Sequence, residues 1–466
     1  MVSTVAVIGS GYVGTVVAAC LAHVGHRVVG VESDPAKLAE LAGGRAPFFE
    51  PGLDELLGAG MAAGRLRFTD DFADAMAASE VVFVCVGTPS GADGLPDMTA
   101  MIGVARSIAA NLGSYHVLVN KSTVPVGSGR WLSSMIEEVA DDPAAIEGLY
   151  AVVSNPEFLR EGSAVGDYLH PDRVVLGSDD ERALDVLAEL YGPILRQELP
   201  GEPPGSPVPL VRTDLVTAEM TKYASNAFLA TKISFANEVA RLCELVGADV
   251  AEVTAGMGLD TRIGPRFLQA GLGWGGSCFG KDVQALISTA GDYGFRAKLL
   301  EATMAVNLDQ RHHAVDVLLR DLRTLRGARI GLLGLAFKPE TDDLRDSPAV
   351  AIAEELVARG CFVSAYDPVV DRLPASPEVR IAGSAEAACA GVDAVVVATD
   401  WAQFAALDLA ALRAGAKGDL FFDGRNMFDP PTVEAAGFRY RGVGRHARHP
   451  GAATPAAATT DAAPAR

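Results

Sequence analysis

Residues 5–14 read Val-Ala-Val-Ile-Gly-Ser-Gly-Tyr-Val-Gly, a short apolar run that meets glycines at positions 9, 11 and 14. An apolar run of this length fits a buried strand. The stretch Thr15–Val24 then reads as a helix, and Arg27–Val31 as a second strand that ends at Glu32. Gly9 makes the strand-to-helix turn, Gly11 lets a pyrophosphate approach, and Gly14 lets the helix pack on the strand. The pyrophosphate sits at the helix N-terminus, where free N–H groups and the dipole favour an anion. Glu32 falls 18 residues after Gly14. An acid at that point binds the ribose 2′-hydroxyl and repels a 2′-phosphate, so NAD is expected over NADP.

Working outward, the same alternation continues. Val81–Val86, Val117–Asn120 and Tyr150–Ser154 read as later strands. They run into the loops Thr88-Pro89, Ser122-Thr123-Val124-Pro125 and Asn155-Pro156-Glu157. In a doubly wound sheet, loops at the carboxyl ends of strands converge on the ligand. This α/β block covers 1–205 and ends in Pro200–Pro209, which holds five prolines and two glycines and reads as a connector. The block 212–325 loses the strand pattern, and Asp214–Val246 reads as one long helix without Gly or Pro. The block 326–445 restarts the α/β pattern with Ile330–Leu333, Val363–Tyr366 ending at Asp367, Ala394–Ala398 and Leu420–Phe422. It parallels the first block, with Asp367 answering to Glu32, but Gly334-Leu-Ala-Phe337-Lys338 replaces the glycine triplet. The expected class is therefore α/β, with two Rossmann-like doubly wound parallel-sheet domains joined by a central helical domain. The tail 446–466 is mostly Ala, Thr and Pro and is expected to be disordered.

Composition narrows the function classes. A formal net charge of −20 argues against a nucleic-acid partner, whose phosphates need a basic face. No run approaches the roughly 20 apolar residues of a membrane span. No targeting segment is recognised at the start of the chain, and a cytoplasmic location is expected. The six cysteines lie at 20, 85, 243, 278, 361 and 389 without metal-like spacing, and no metal site is expected. All but Cys278 fall in apolar patterns and read as packing residues. His312-His313 reads as an exposed helical pair.

Cys278 stands apart. Gly273–Asp282 reads Gly-Trp-Gly-Gly-Ser-Cys-Phe-Gly-Lys-Asp, with four glycines around the cysteine. Such a backbone lets a ligand approach closely, and a thiol near a cation is expected to have its pKa lowered. On the long helix, Lys222 and Asn226 are four apart and stack on one face. Lys222 by itself reads as a solvated surface lysine, yet Met220, Tyr223, Ala224 and Phe228 supply apolar surroundings that would hold it near a cleft.

Taken in order, the glycine triplet, Lys121-Ser-Thr-Val-Pro125, Asn155-Pro-Glu-Phe-Leu-Arg-Glu-Gly162, Lys222-Tyr-x-x-Asn226, Gly275-Gly-Ser-Cys278 and Phe337-Lys-Pro339 resemble the UDP-glucose/GDP-mannose dehydrogenase family over residues 1–445. Thr261–Gly271 most resembles the members that oxidise UDP-glucose; members acting on GDP-mannose or an N-acetylated UDP-hexosamine are the alternative. One departure is Gly280, where the family usually has proline, and the loop carrying Cys278 is expected to be looser for it. The resemblance implies a four-electron oxidation of an alcohol to an acid, with two NAD reduced in turn and Cys278 as nucleophile. It implies that Lys222 stabilises the oxyanion, with Asn226, Asp282, Thr123 and Glu157 handling water and protons. Cofactor contacts carried over are Gly9, Gly11, Tyr12, Val13, Gly14, Glu32, Lys37, Thr88, Thr123, Glu161, Lys281 and Arg345. Nucleotide-sugar contacts are Glu157, Phe158, Leu159, Arg160, Glu161, Lys222, Asn226, Arg262, Phe267, Leu268, Gln269, Ala270, Gly271, Gly275, Phe337, Lys338 and Arg425. Arg262 matches an arginine that reaches a neighbouring subunit, so a homodimer or higher homo-oligomer is expected.

Overall fold

Eight strands form the first sheet: β1 Thr4–Ile8, β2 Arg27–Val31, β3 Leu66–Thr69, β4 Val81–Val84, β5 His116–Asn120, β6 Tyr150–Ser154, β7 Val174–Gly177 and β8 Leu210–Thr213. This is a computed structural model, which describes residues 2–88, 97–122 and 124–445. Thr123, Pro89 and the tail 446–466 lie outside the described residues. The strand order is β3-β2-β1-β4-β5-β6-β7-β8. Neighbours are parallel except β6 and β7, which meet antiparallel at Ser154 and Gly177, so this sheet is mixed rather than wholly parallel.

Alternation explains why its strands read as unbroken apolar runs. Val5 and Val7 join one buried cluster with Val28, Phe83, Val117 and Val153. Ala6 and Ile8 join the opposite one with Val29, Val82, Leu118 and Val152. Both faces are covered, as a sheet with helices on each side requires. Helix α1, Tyr12–His23, packs Val16, Val17 and Leu21 into the first cluster.

The second sheet is wholly parallel, in the order β11-β10-β9-β12-β13-β14. Its strands are β9 Arg329–Leu333, β10 Phe362–Tyr366, β11 Arg380–Ile381, β12 Ala394–Val397, β13 Leu420–Asp423 and β14 Arg439–Gly442. The first six strands of both sheets share one order, which gives the duplication read in the sequence a topological form. Gly9 and Gly334 even make the same turn contact, donating to Val31 and Tyr366 at the ends of β2 and β10. The acids then diverge. The buried Asp367 accepts from Leu335, Val369 and Val370 N–H and from Trp401 Nε1, so its oxygens are engaged by its own domain.

Between the sheets the chain is helical: α2 Ser128–Val139 lies within the first sheet's region, followed by α3 Leu215–Val246, α4 Phe279–Asp292 and α5 Lys298–Leu322. The chain resolves into two compact units. The first joins Met1–Ser234, Trp274–Asp309 and Ala336–Val350; the second joins Phe235–Gly273, Gln310–Leu335 and Ala351–Arg466. The second part of the histidine pair departs from its reading: His313 is half-buried and bonds Glu244 at 2.9 Å, whereas His312 is exposed.

Candidate active site

The glycine turn is shaped for a pyrophosphate. Gly9 has φ +90°, and a Cβ at Gly14 would lie 1.9 Å from the Gly9 carbonyl oxygen, so packing itself requires glycine there. Gly11 has no such reason: a Cβ there would meet nothing within 4 Å. The open side above Gly11 faces the first turn of α1, where Tyr12, Val13 and Gly14 present N–H groups without intrahelical partners. Glu32 is buried at the end of β2, where its Oε1 accepts the Asp34 N–H. The residues present fit a dinucleotide. Thr88 is buried beyond β4, whereas Lys37 is exposed.

The catalytic candidates assemble in the same unit. Glu219, Lys222 and Asn226 lie three and four residues apart and share the buried face of α3. Glu219 accepts from Gly127 and Gly129 N–H at 2.5 and 2.8 Å, which pins α3 to the start of α2. Lys222 is therefore no surface lysine: it pairs with Glu157 Oε1 at 2.7 Å, with side chains 7% and 4% exposed. Of its apolar sequence neighbours, Met220, Ala224 and Phe228 face solvent, and only Tyr223 is buried with it. Residues at i±2 and i+6 point away from Lys222 on a helix, which is why linear proximity misled. Burial works against the Glu157 carboxylate, but Lys222, the Leu159 N–H and Lys121 hold it below its usual range. Burial also works against the Lys222 ammonium, yet Glu157, Cys278 and Asp282 outweigh it and raise its pKa.

One turn further on, Asn226 Nδ2 donates to Asp282 Oδ2 at 2.6 Å. Asp282 Oδ1 faces Lys281 Nζ at 3.1 Å, outside hydrogen-bond geometry, and neither atom has another hydrogen-bond partner. Cys278 is half-buried at the N-cap of α4, with Ser277 Oγ 3.6 Å from its Sγ. Burial pushes its thiol up to about 11, with Glu157 and Asp282 adding to the rise and Lys222 opposing it. The expectation of a lowered pKa is thus overturned, because desolvation and two carboxylates outweigh one cation.

Glu161 accepts from Ser277 Oγ at 3.4 Å and from Arg345 Nη2 at 3.2 Å, and its carboxyl lies beside that of Asp343. Burial and the neighbouring Asp343 raise the Glu161 pKa. The Lys281–Asp282 ion pair and the Glu161 carboxyl thus leave buried polar atoms near the thiol's segment with unused hydrogen-bonding capacity, which suits a polar ligand.

Comparison with known proteins gives this arrangement its family. Profiles of the UDP-glucose/GDP-mannose dehydrogenase family match residues 3–195 as its NAD binding domain, 216–309 as its central domain and 331–430 as its UDP binding domain. The UDP-glucose 6-dehydrogenase of Rhizobium meliloti is 46% identical over 95% of this chain and 99% of its own. The chain belongs to the UDP-glucose/GDP-mannose dehydrogenase family. It is an NAD-dependent oxidoreductase. The UDP-glucose 6-dehydrogenase TuaD of Bacillus subtilis is 42% identical over 95% of this chain and 93% of its own. A solved UDP-glucose dehydrogenase from Pyrobaculum islandicum superposes with TM-score 0.85 at 38% identity, over 95% of this chain and 98% of that one.

The remaining family positions divide between the units. In the first, the Phe158 ring lies 3.6 Å from the Arg173 guanidinium and 5.6 Å from Lys222 Nζ. Leu159 donates its N–H to Glu157 Oε2, and the exposed Arg160 is tied to Asp167. Gly275 is buried, since a Cβ there would lie 2.2 Å from the Asp346 carbonyl oxygen. Phe337 and Lys338 are half-buried, and burial lowers the Lys338 pKa against the pull of Glu161. In the second unit, Arg262 is 87% exposed and paired with Asp260. Phe267 has φ +63°. Leu268, Ala270 and Gly271 are buried, Gln269 is exposed, and Asn237 Oδ1 and Gln310 Nε2 hold the Gly271 backbone at 2.8 Å each. Arg425 gives Nε to the Ala398 carbonyl at 2.7 Å and Nη1 to that of Gly273 at 3.3 Å.

Lys121 is the main residue that sequence reasoning missed. It is buried beyond β5, donates to Asn155 Oδ1 at 2.9 Å, and burial pulls its pKa down to about 8 although Cys85 and Glu157 favour its charge. With Glu157, Glu219 and Lys222 it lines a cavity of ≈ 20 Å³, room for one water. The signal was present in Lys-Ser-Thr-Val-Pro, where only the threonine was given a role. No group of three or more His, Cys, Asp or Glu among the described residues is placed to hold a metal. Among them, too, no helix is long and apolar enough to cross a membrane.

Proposed function

We propose that this enzyme oxidises UDP-glucose to UDP-glucuronate, reducing two NAD per turnover. The observation that carries the reading is the buried constellation of Lys222–Glu157 and Asn226–Asp282 around the half-buried Cys278. NAD, when bound at the glycine turn, supplies the hydride acceptor for both oxidations. Lys222 presents a fixed cation to the oxygen that gathers negative charge, work for which one donor is typically worth ~100–1000-fold in rate. Cys278 Sγ bonds to the aldehyde carbon to give a thiohemiacetal, whose oxidation leaves a thioester. Water then adds to the thioester carbon, the C–S bond breaks, and the carboxylate leaves. Asp282 and Asn226 hold that water and share its protons, with Glu157 and Thr123 assisting. Because the free thiol lies near 11, its proton must leave to a base as Sγ attacks, and the Lys222 cation favours the thiolate that forms. Lys338 and Arg425 serve the nucleotide sugar, and the glycine turn with Glu32 serves NAD.

Self-association fits the surface of α3. In the second unit Phe235, Leu242 and Val246 are exposed on it, seven and four residues apart and so on one face. Such an apolar stripe on a long helix suits a second copy, and we propose a homodimer at least, with Arg262 reaching across it. A cytoplasmic setting is consistent with six free cysteines. The deciding experiment follows NADH production against a panel of UDP- and GDP-sugars. Two NADH per UDP-glucose consumed supports the reading; one NADH, or preference for another sugar, refutes it. In parallel, Cys278→Ser should bind both ligands yet lose overall turnover.

A further inference from the structure

Glu50 takes no part in the chemistry above, yet it is a buried carboxylate tied to two functional segments. Its Oε2 accepts the phenol of Tyr12 and the Gly162 N–H at 2.6 Å, and its Oε1 accepts the Ala164 N–H at 2.7 Å. Glu50 is only 7% exposed, and among the described residues its charge acts on the Lys338 ammonium without a direct ion pair to it. A buried carboxylate is retained only where donors replace its water, and here all three come from the two segments.

Those segments matter. Tyr12 is the first residue of α1 and belongs to the glycine turn. Gly162 directly follows Glu161, at the end of the Glu157–Glu161 segment. Tyr12 is held in place independently, with its ring centroid 4.8 Å from that of Phe48, two residues before Glu50. Burial and Glu50 raise the Tyr12 pKa, so the phenol remains a donor. Tyr12, Phe48 and Leu159 pack on the same apolar cluster. A shift of the cofactor turn therefore acts on the Glu157–Glu161 segment through one carboxylate.

We infer that Glu50 is a positioning residue that couples cofactor binding at the glycine turn to substrate binding at the Glu157–Glu161 segment. The inference rests on the assignment of those two segments to NAD and to the nucleotide sugar. Once the carboxylate is lost, the main-chain donors of Gly162 and Ala164 remain buried while one acceptor becomes an amide N–H₂. Each ligand should then bind without sensing the other.

NADH with UDP-glucose cannot turn over, so the pair reads coupling without catalysis. NADH affinity is measured by fluorescence in the absence and in the presence of saturating UDP-glucose. The ratio of the two dissociation constants is the coupling factor. A wild-type factor of about 5 or more is expected, falling to about 1 in Glu50→Gln and in Tyr12→Phe. Glu50→Gln should also lower kcat/KM for UDP-glucose by about 10- to 150-fold, the range for loss of a charged hydrogen bond. If Glu50→Gln fails to fold, Tyr12→Phe still decides, because it leaves both main-chain bonds to Glu50 in place. A wild-type factor of 1, or a Tyr12→Phe protein that keeps the wild-type factor, overturns the inference. Failure of the wild type to bind NADH or UDP-glucose at all would refute the functional reading instead.

Discussion

Lys222→Met tests the electrostatic core of the site. The substitution keeps most of the side-chain volume and removes the cation 2.7 Å from a Glu157 carboxylate that is 4% exposed. Removing one partner of a buried pair costs about 3–5 kcal/mol, because the other charge is left uncompensated. Here Lys121 and the Leu159 N–H still act on Glu157, which places the loss near the lower end, about 3 kcal/mol. The pH dependence has a definite sign. Glu157 has a depressed pKa in the fold, so its contribution is present above the ordinary value of about 4.3 and is lost as pH falls through the folded value. Lys222 has a raised one, so its contribution is present below about 10.4 and is lost as pH rises through the folded value. The gap between wild type and variant should be full near pH 8. It should narrow on acidification, because burial without Lys222 raises the Glu157 pKa and lets the carboxyl take a proton. Urea denaturation followed by circular dichroism at pH 8 and pH 5 measures both gaps. A loss under 1 kcal/mol at pH 8, or a gap that widens toward pH 5, would show that the pair does not carry the burial assigned to it.

Three further outcomes are expected. NAD should exceed NADP by at least about tenfold in kcat/KM, because the buried Glu32 ends β2, the place at which an acid in this fold repels a 2′-phosphate; equal efficiencies would contradict the role proposed for it. Alkylation of Cys278 by iodoacetamide should be slow at pH 7 and rise about tenfold per pH unit until about pH 11, read by mass spectrometry of the labelled peptide; a plateau below pH 9 would refute the raised pKa. Gly280→Ala should raise stability by about 0.5–1 kcal/mol, since the position lies in the first turn of α4 and a Cβ would meet Asp346 and Trp274 at 3.6 and 3.7 Å, ordinary contacts. A lower thermal midpoint would show that this glycine is required.

The amino-acid sequence by itself determined what depends on short-range pattern. Apolar runs at strand length and the spacing of Gly9, Gly11 and Gly14 are local requirements of a turn, and they announced the first sheet and its NAD. The same logic found the second sheet and the unbroken helix Leu215–Val246. Five strands escaped it: β3, β8, β11 and β14 are partly exposed and carry arginines that break the apolar run, whereas β4, β12 and β13, no longer than four residues, were legible because every residue is buried; the reversal of β7 is a pairing decision that no single strand encodes. What only the tertiary structure decided is electrostatic. Met220, Ala224 and Phe228 were the neighbours of Lys222 along the chain, whereas the residue it meets is Glu157. Asn226 reaches Asp282 across 56 residues. A lysine beside a cysteine in sequence suggested a lowered thiol pKa, and the fold raised it instead, by removing water and bringing up Glu157 and Asp282. Charge interactions depend on distance in space and on how much solvent the fold excludes, and neither quantity exists until the chain has closed on itself.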